Sequence, residues 1–295
     1  MSRRLKTLLG DYPITAALKS GKLSSPHAAF DFADVKPVSS AFKRVVRDLE
    51  FDVAELAIVT FLMAKAHGKP LVLLPTVVLG RFQHPFLVYN RERGPLKPED
   101  LPGKRVGVRS YSVTTGMWVR SILSEDHGVD IDRVRWVTFE EAHVAEYRDP
   151  PNVERAPAGR NINAMLLAGE IDAAIVGDAK PADPRIAPLI PDTESAARAW
   201  HAKHGGIQLN HLVTVQSSVS QSDPQAVREL YRLLTESKRA AGLPAAGVVD
   251  PNPFGVAANR RNLELAIERV HRQGLIPRRY TVDELFDDTT RQLGA

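Results

Sequence analysis

Four loops in this 295-residue chain group side chains that can move protons or hold an anion. Asp11 and Tyr12 follow Gly10. Asp52 and Glu55 flank Val53 and Ala54. Arg81 stands three residues before His84, and Tyr111, Ser112, Thr114 and Thr115 precede Gly116. Carboxylates at 11, 52 and 55 are candidates for acid–base work. Arg81 is a fixed cation able to grip a carboxylate with two parallel hydrogen bonds, and a histidine, here His84 or His211, is a side chain able to carry a proton. Hydroxyls at 112, 114 and 115 beside Gly116 at a helix start offer O–H and uncommitted backbone N–H donors to a carboxylate or phosphate. Each feature also has a purely structural reading. Asp52 suits a helix N-cap with Glu55 in the first turn, Ser112 or Thr114 could cap the next helix, and His84 could be a hydrogen-bonded residue before Pro85. A cap needs one hydroxyl, so three within four positions favour an anion site.

Other chemistries lack their residues. There is no cysteine, hence no disulfide, thiolate ligand or thiol nucleophile. No G-x-G-x-x-G follows a strand, and neither a phosphate-binding P-loop nor a G-x-S-x-G elbow is present, so no nucleotide cofactor is expected. His201 and His204 could share a helix face, but Gly205-Gly206 follows at once and no acid sits at ligand spacing, so no metal is expected. The net charge of +4 is spread thinly, without a basic run or aromatic-interleaved stripe, which speaks against nucleic acid and suits a small anionic partner. Met1-Ser2-Arg3-Arg4 is not followed by an apolar stretch of signal length. The longest apolar run, Leu71 to Leu79, is broken by Pro75 and Thr76. A cytoplasmic protein with no membrane span is therefore expected, and homo-oligomerisation is compatible with the sequence.

The elements that must position these loops alternate between short apolar runs and helical patterns, as in βαβ units. Strands are predicted over Leu5–Leu9, Leu71–Val78, Phe86–Tyr89, Arg105–Val108, Arg135–Phe139, Ile171–Val176 and Leu212–Val215. Helices are predicted over Thr15–Ser20, Ala41–Leu49, Val53 to about His67, Gly116–Ser124, Asn161–Ala168, Pro224–Ala241 and Asn259–Arg272. The charge-, Pro- and Gly-dense stretch Asn90–Gly103 is the strongest internal boundary. The fold class is thus α/β with two lobes, each a mainly parallel sheet flanked by helices. Lobe 1 is discontinuous, 1–89 and 211–295, lobe 2 spans 90–210, and a ligand is expected in the cleft, at strand carboxyl ends and helix N-termini.

Segments along nearly the whole chain resemble the 4,5-dihydroxyphthalate decarboxylase family. They are Leu9-Gly10-Asp11-Tyr12 with Thr15, Phe51-Asp52-Val53-Ala54-Glu55-Leu56, Arg81-Phe82-Gln83-His84, Tyr111 with Thr114 and Trp118-Val119-Arg120, Leu166 to Ala173, and Asp250-Pro251-Asn252-Pro253-Phe254-Gly255 with Ala258-Asn259-Arg260. Gln83 stands where the family has a basic residue. The resemblance implies a type II solute-binding-protein fold and cofactor-independent loss of CO2 from a hydroxylated aromatic diacid. It implies roles for Asp11, Tyr12, Arg81, Tyr111, Ser112, Thr114 and Thr115 in binding the substrate. His84 is its first choice of proton donor and His211 the alternative, with Asp52 or Glu55 at the ring hydroxyls. The other reading is a solute-binding protein without chemistry, for a small aromatic or dicarboxylic acid.

Overall fold

A computed structural model describes residues 3–177 and 181–294. The chain divides into two compact units: unit 1 holds Met1–Arg81 and Leu209–Ala295, unit 2 holds Phe82–Gln208.

Unit 1 begins with β1 (Arg3–Leu8), α1 (Pro13–Lys19) and β2 (Ala28–Phe32). A 3-10 turn (Val38–Ala41) and a π-helical turn (Arg44–Asp48) lead to β3 (Val53–Ala57), α2 (Ile58–Ala66) and β4 (Leu71–Gly80). Unit 2 contributes β5 (Leu87–Asn90), β6 (Arg105–Val108), α3 (Thr114–His127), β7 (Arg135–Thr138), β8 (Val153–Arg155), α4 (Ile162–Ala168), β9 (Ala173–Ile175), β10 (Ile186–Pro188) and α5 (Thr193–His204). The chain then returns to unit 1 as β11 (Leu209–Gln216), α6 (Ser217–Ser222), α7 (Pro224–Ala240) and α8 (Val256–Arg272).

The sheet of unit 1 runs β2-β1-β3-β11-β4. β1 pairs in parallel with β2 and β3, whereas β11 lies antiparallel between β3 and β4. Because side chains alternate across a strand, Val53 and Glu55 share one face of β3. Val53 packs there with Ile14 and Leu18 of α1 and with Val227, Leu230 and Leu234 of α7. This apolar face is the core that carries the site. The sheet of unit 2 runs β10-β5-β9-β6-β7-β8, with the β9-β6-β7-β8 portion parallel and β5 antiparallel to both of its neighbours. Its core includes Val88, Val137, Leu166, Ile171 and Ala174.

Two expectations change. The helix predicted from Val53 is a strand as far as Ala57 and a helix only from Ile58. All five residues of β3 are buried, flanked by β1 and β11, and a short run buried on both faces carries no two-residue alternation to tell it from a helix. The crossovers fall at Arg81/Phe82 and Gln208/Leu209, not at 89/90 and 210/211. β5 belongs to the second sheet, paired with β9 and β10, so the stretch from Asn90 to Gly103 is an internal loop of unit 2. No helix among the described residues is long and apolar enough to cross a membrane.

Candidate functional site

The strongest cluster of ionisable side chains in unit 1 forms around Glu55, on the central strand β3. Its side chain is fully buried among apolar neighbours, where an unpartnered carboxylate would be costly. Three donors offset that cost. Gly10 N–H donates to Oε2 at 2.8 Å, Tyr12 Oη–H donates to Oε1 at 2.6 Å, and His211 Nδ1 lies 2.6 Å from Oε1. A carboxylate can only accept, so the hydrogen of that last contact sits on Nδ1, and in the neutral imidazole the other ring nitrogen, Nε2, carries the lone pair. Nε2 has no partner among the described residues, and the His211 side chain keeps 14% of its exposure. A base-orienting carboxylate behind an imidazole is the arrangement by which a histidine accepts a proton at Nε2 and is stabilised once charged.

Backbone geometry brings these groups together. β11 pairs with β3 so that Val213 faces Glu55 and His211 faces Ala57. His211 and Glu55 are therefore diagonal neighbours on one face, within reach for long side chains. Pairing of β11 with β4 shifts register on both sides of His211, an irregularity of the kind that re-aims side chains beside sites. Phe42, buried before the π-helical turn, packs edge-on against the imidazole at 5.1 Å between ring centres. Gly10 and Tyr12 come from the turn at the carboxyl end of β1, where α1 begins.

Several sequence-predicted residues lie apart from this cluster. Asp52 sits at the entry to β3, three residues from Glu55 and so on the other face, about 10 Å along the strand. It caps no helix. Its carboxylate instead accepts from Lys6 N–H at 2.8 Å and ties β1 to β3. Asp11 adjoins the cluster but is exposed and turned to Lys19 and to Lys36 (2.9 Å); the hydrogen bond from Lys19, then that from Lys36, holds its carboxyl down to about 2. Arg81 closes the first segment of unit 1, half-buried.

Unit 2 holds the rest. His84 is buried in a 3-10 turn, its Nδ1 has no hydrogen-bond partner among the described residues, and burial drives its pKa down to about 4, leaving it neutral at pH 7. The charges that act on it, Asp126 and His127, stand at the carboxyl end of α3. Ser112, Thr114 and Thr115 stand at the opposite end of that helix, so His84 and the hydroxyl loop are not one group. At that N-terminus the N-cap is Val113, with no side-chain cap. The capping role weighed for Ser112 and Thr114 is therefore not used. Ser110 and Ser112 are buried with their hydroxyl oxygens 3.4 Å apart. Tyr111 is buried with its ring 3.8 Å from the Arg120 guanidinium, which donates to the Tyr111 carbonyl at 2.8 Å. Arg120 is fully buried, and desolvation lowers its pKa while raising those of Tyr147 and Asp149 nearby. His201 Nδ1 is committed to the Gly206 carbonyl at 2.8 Å, consistent with a helix-terminal role.

Sequence reasoning found Tyr12, Glu55 and His211 one at a time. It missed the Gly10 N–H as a donor and gave Phe42 no role. The signal for Gly10 was present, a glycine at the carboxyl end of a first strand. For Phe42 nothing in the sequence marked it.

The fold is shared with solute-binding proteins. The alkanesulfonate-binding protein SsuA of Xanthomonas axonopodis pv. citri, solved with MOPS, superposes with a TM-score of 0.57 at 14% identity, covering 97% of this chain and 98% of that one. SsuA of Escherichia coli does so at 0.57 and 12%, with the same coverage. The desulfurization enzyme DSZB superposes at 0.55 and 15%, covering 98% of this chain and 97% of its own. No protein-family model matches the chain. In sequence it is 27% identical to the 4,5-dihydroxyphthalate decarboxylase of Comamonas testosteroni over 286 residues, 83% of this chain and 84% of that protein. It is 32% identical to that of Pseudomonas putida over 173 residues, 54% of this chain and 67% of the relative. The fold is of the type II binding-protein class. The chain belongs to the 4,5-dihydroxyphthalate decarboxylase family, and with it to the carboxy-lyases.

Proposed function

We propose that the protein decarboxylates 4,5-dihydroxyphthalate, or a close hydroxylated aromatic acid, to 3,4-dihydroxybenzoate and CO2. The observation that carries this reading is the Glu55–His211 pair at 2.6 Å, with Nε2 of the imidazole left to meet a ligand. In such a substrate each carboxylate lies para to a hydroxyl. His211 Nε2 accepts the hydroxyl proton, and electron density moves through the ring to the carbon that bears the para carboxylate. That carbon takes a proton from solvent, the C–C bond to the carboxylate breaks, its electron pair restores aromaticity as CO2 departs, and the His211 imidazolium returns its proton to the phenolate oxygen. The ring is its own electron sink, so the protein's task is positioning and proton transfer. Glu55 keeps the hydrogen on Nδ1 and stabilises the imidazolium, and Tyr12 and Gly10 keep Glu55 in place. Buried and neutral, His84 suits a proton donor poorly, which moves the assignment of proton transfer to His211.

The test is CO2 release together with ultraviolet detection of 3,4-dihydroxybenzoate by the purified, chelator-treated chain given 4,5-dihydroxyphthalate. Turnover that disappears in His211→Asn supports the assignment. Ligand-dependent thermal stabilisation without turnover would point instead to a binding protein for such acids.

A further inference from the structure

The two donors that Glu55 receives besides His211 come from one short turn, and one buried side chain grips both of the residues that donate. Thr15 is fully buried in the first turn of α1. Its Oγ1 donates to the Gly10 carbonyl at 2.8 Å and accepts from the Tyr12 N–H at 3.1 Å. The residues it grips are the same two that donate to Glu55. Satisfying a helix start requires only one such contact. A seven-residue helix has little stability of its own to hold a loop, so the hydroxyl fixes the turn. Lys19, one helical turn on, closes the turn from outside by donating to the Leu9 carbonyl at 2.7 Å and to Asp11.

We propose that Thr15 is a positioning residue of the reaction, acting on Glu55 and His211 through Gly10 and Tyr12. The inference rests on the proton-transfer role given above to the Glu55–His211 pair. Without the hydroxyl, the Gly10 N–H and Tyr12 O–H drift from the carboxylate. A Glu55 stripped of donors then grips the imidazole proton more tightly, so the base works only at higher pH.

The experiment measures kcat and KM against pH, with melting temperature, for the full chain and its Thr15→Val, Thr15→Ser and His211→Asn variants on 4,5-dihydroxyphthalate. Thr15→Val should lower kcat roughly 10- to 100-fold, the scale of a misplacement near 1 Å. KM should change little, the acid limb of the kcat/KM profile should move to higher pH, and Thr15→Ser should restore the wild-type profile. Should Thr15→Val not fold, Thr15→Ala removes the hydroxyl without setting a methyl against the Tyr12 N–H and is read in the same way. Wild-type kcat in the Thr15 variant beside an inactive His211→Asn overturns the inference and leaves the decarboxylase assignment standing. Lost kcat with an unmoved pH profile, not rescued by serine, reduces Thr15 to a structural residue. An active His211→Asn removes the site reading itself, and the inference with it.

Discussion

Replacing Glu55 with glutamine is the sharpest perturbation available, because it keeps the shape and exchanges one acceptor oxygen for a donor amide. The carboxylate accepts from Tyr12 and His211 at Oε1 and from Gly10 at Oε2. Glutamine has one acceptor oxygen. With that oxygen toward Tyr12 and His211, its amide hydrogens meet the Gly10 N–H. Turned over, they face Tyr12 and His211 and drive the imidazole to the tautomer with hydrogen on Nε2. The first orientation leaves a buried donor unsatisfied, at about 1–3 kcal/mol. At about 2–4 °C per kcal/mol for a unit of this size, the melting temperature should fall by roughly 2–12 °C. The second removes the Nε2 lone pair that accepts the hydroxyl proton, a wrong-tautomer effect worth about 10²–10⁴ in kcat. The assay is steady-state decarboxylation by ultraviolet absorbance, with KM from the same curves and thermal unfolding of the same preparation. Glu55→Gln retaining kcat within threefold of wild type across the pH range would refute the claim that this carboxylate orients the base.

Three further outcomes follow from the geometry. Gly10→Ala would put a Cβ 2.6 Å from Tyr12 Cε2 and 2.9 Å from its Oη. The phenol must swing away from Glu55, so kcat should drop about tenfold while the melting temperature moves little, since a side chain yields rather than backbone. His84 has a native pKa near 4 against an ordinary 6.5, so the unfolded chain binds the extra proton between those values. Stability should therefore be full above pH 6.5 and be lost as pH falls toward 4, by about 3 kcal/mol, and His84→Gln should flatten that part of the melting-temperature curve. At the start of α3, Ser112→Ala combined with Thr114→Val should weaken stabilisation by phthalate in a thermal-shift titration at constant ionic strength. An unchanged titration would separate that helix start from carboxylate binding.

Much of this protein was legible along the chain. The apolar runs at Leu5, Leu71, Arg105, Arg135 and Leu212 and the amphipathic patterns of α7 and α8 each appear in the structure close to their predicted bounds. They do so because periodicity reports local burial directly. The strands β2, β8 and β10 were not read, being short and only partly buried. β3 was read as helix because burial on both faces erases the alternation that marks a strand.

From the sequence alone came the architecture and the separate candidacies of Tyr12, Glu55, His84 and His211, since residue type and local spacing suffice for these, and the family through the resemblance of segments along the chain. Which candidates act together was decided by tertiary structure. Glu55 and His211 are 156 positions apart, and only the antiparallel register of β3 with β11 sets them on one face. Packing within unit 2 likewise sealed His84 away from solvent. Pairing register and the partners of a buried polar group arise from contacts between distant segments, and no local pattern of residues encodes them.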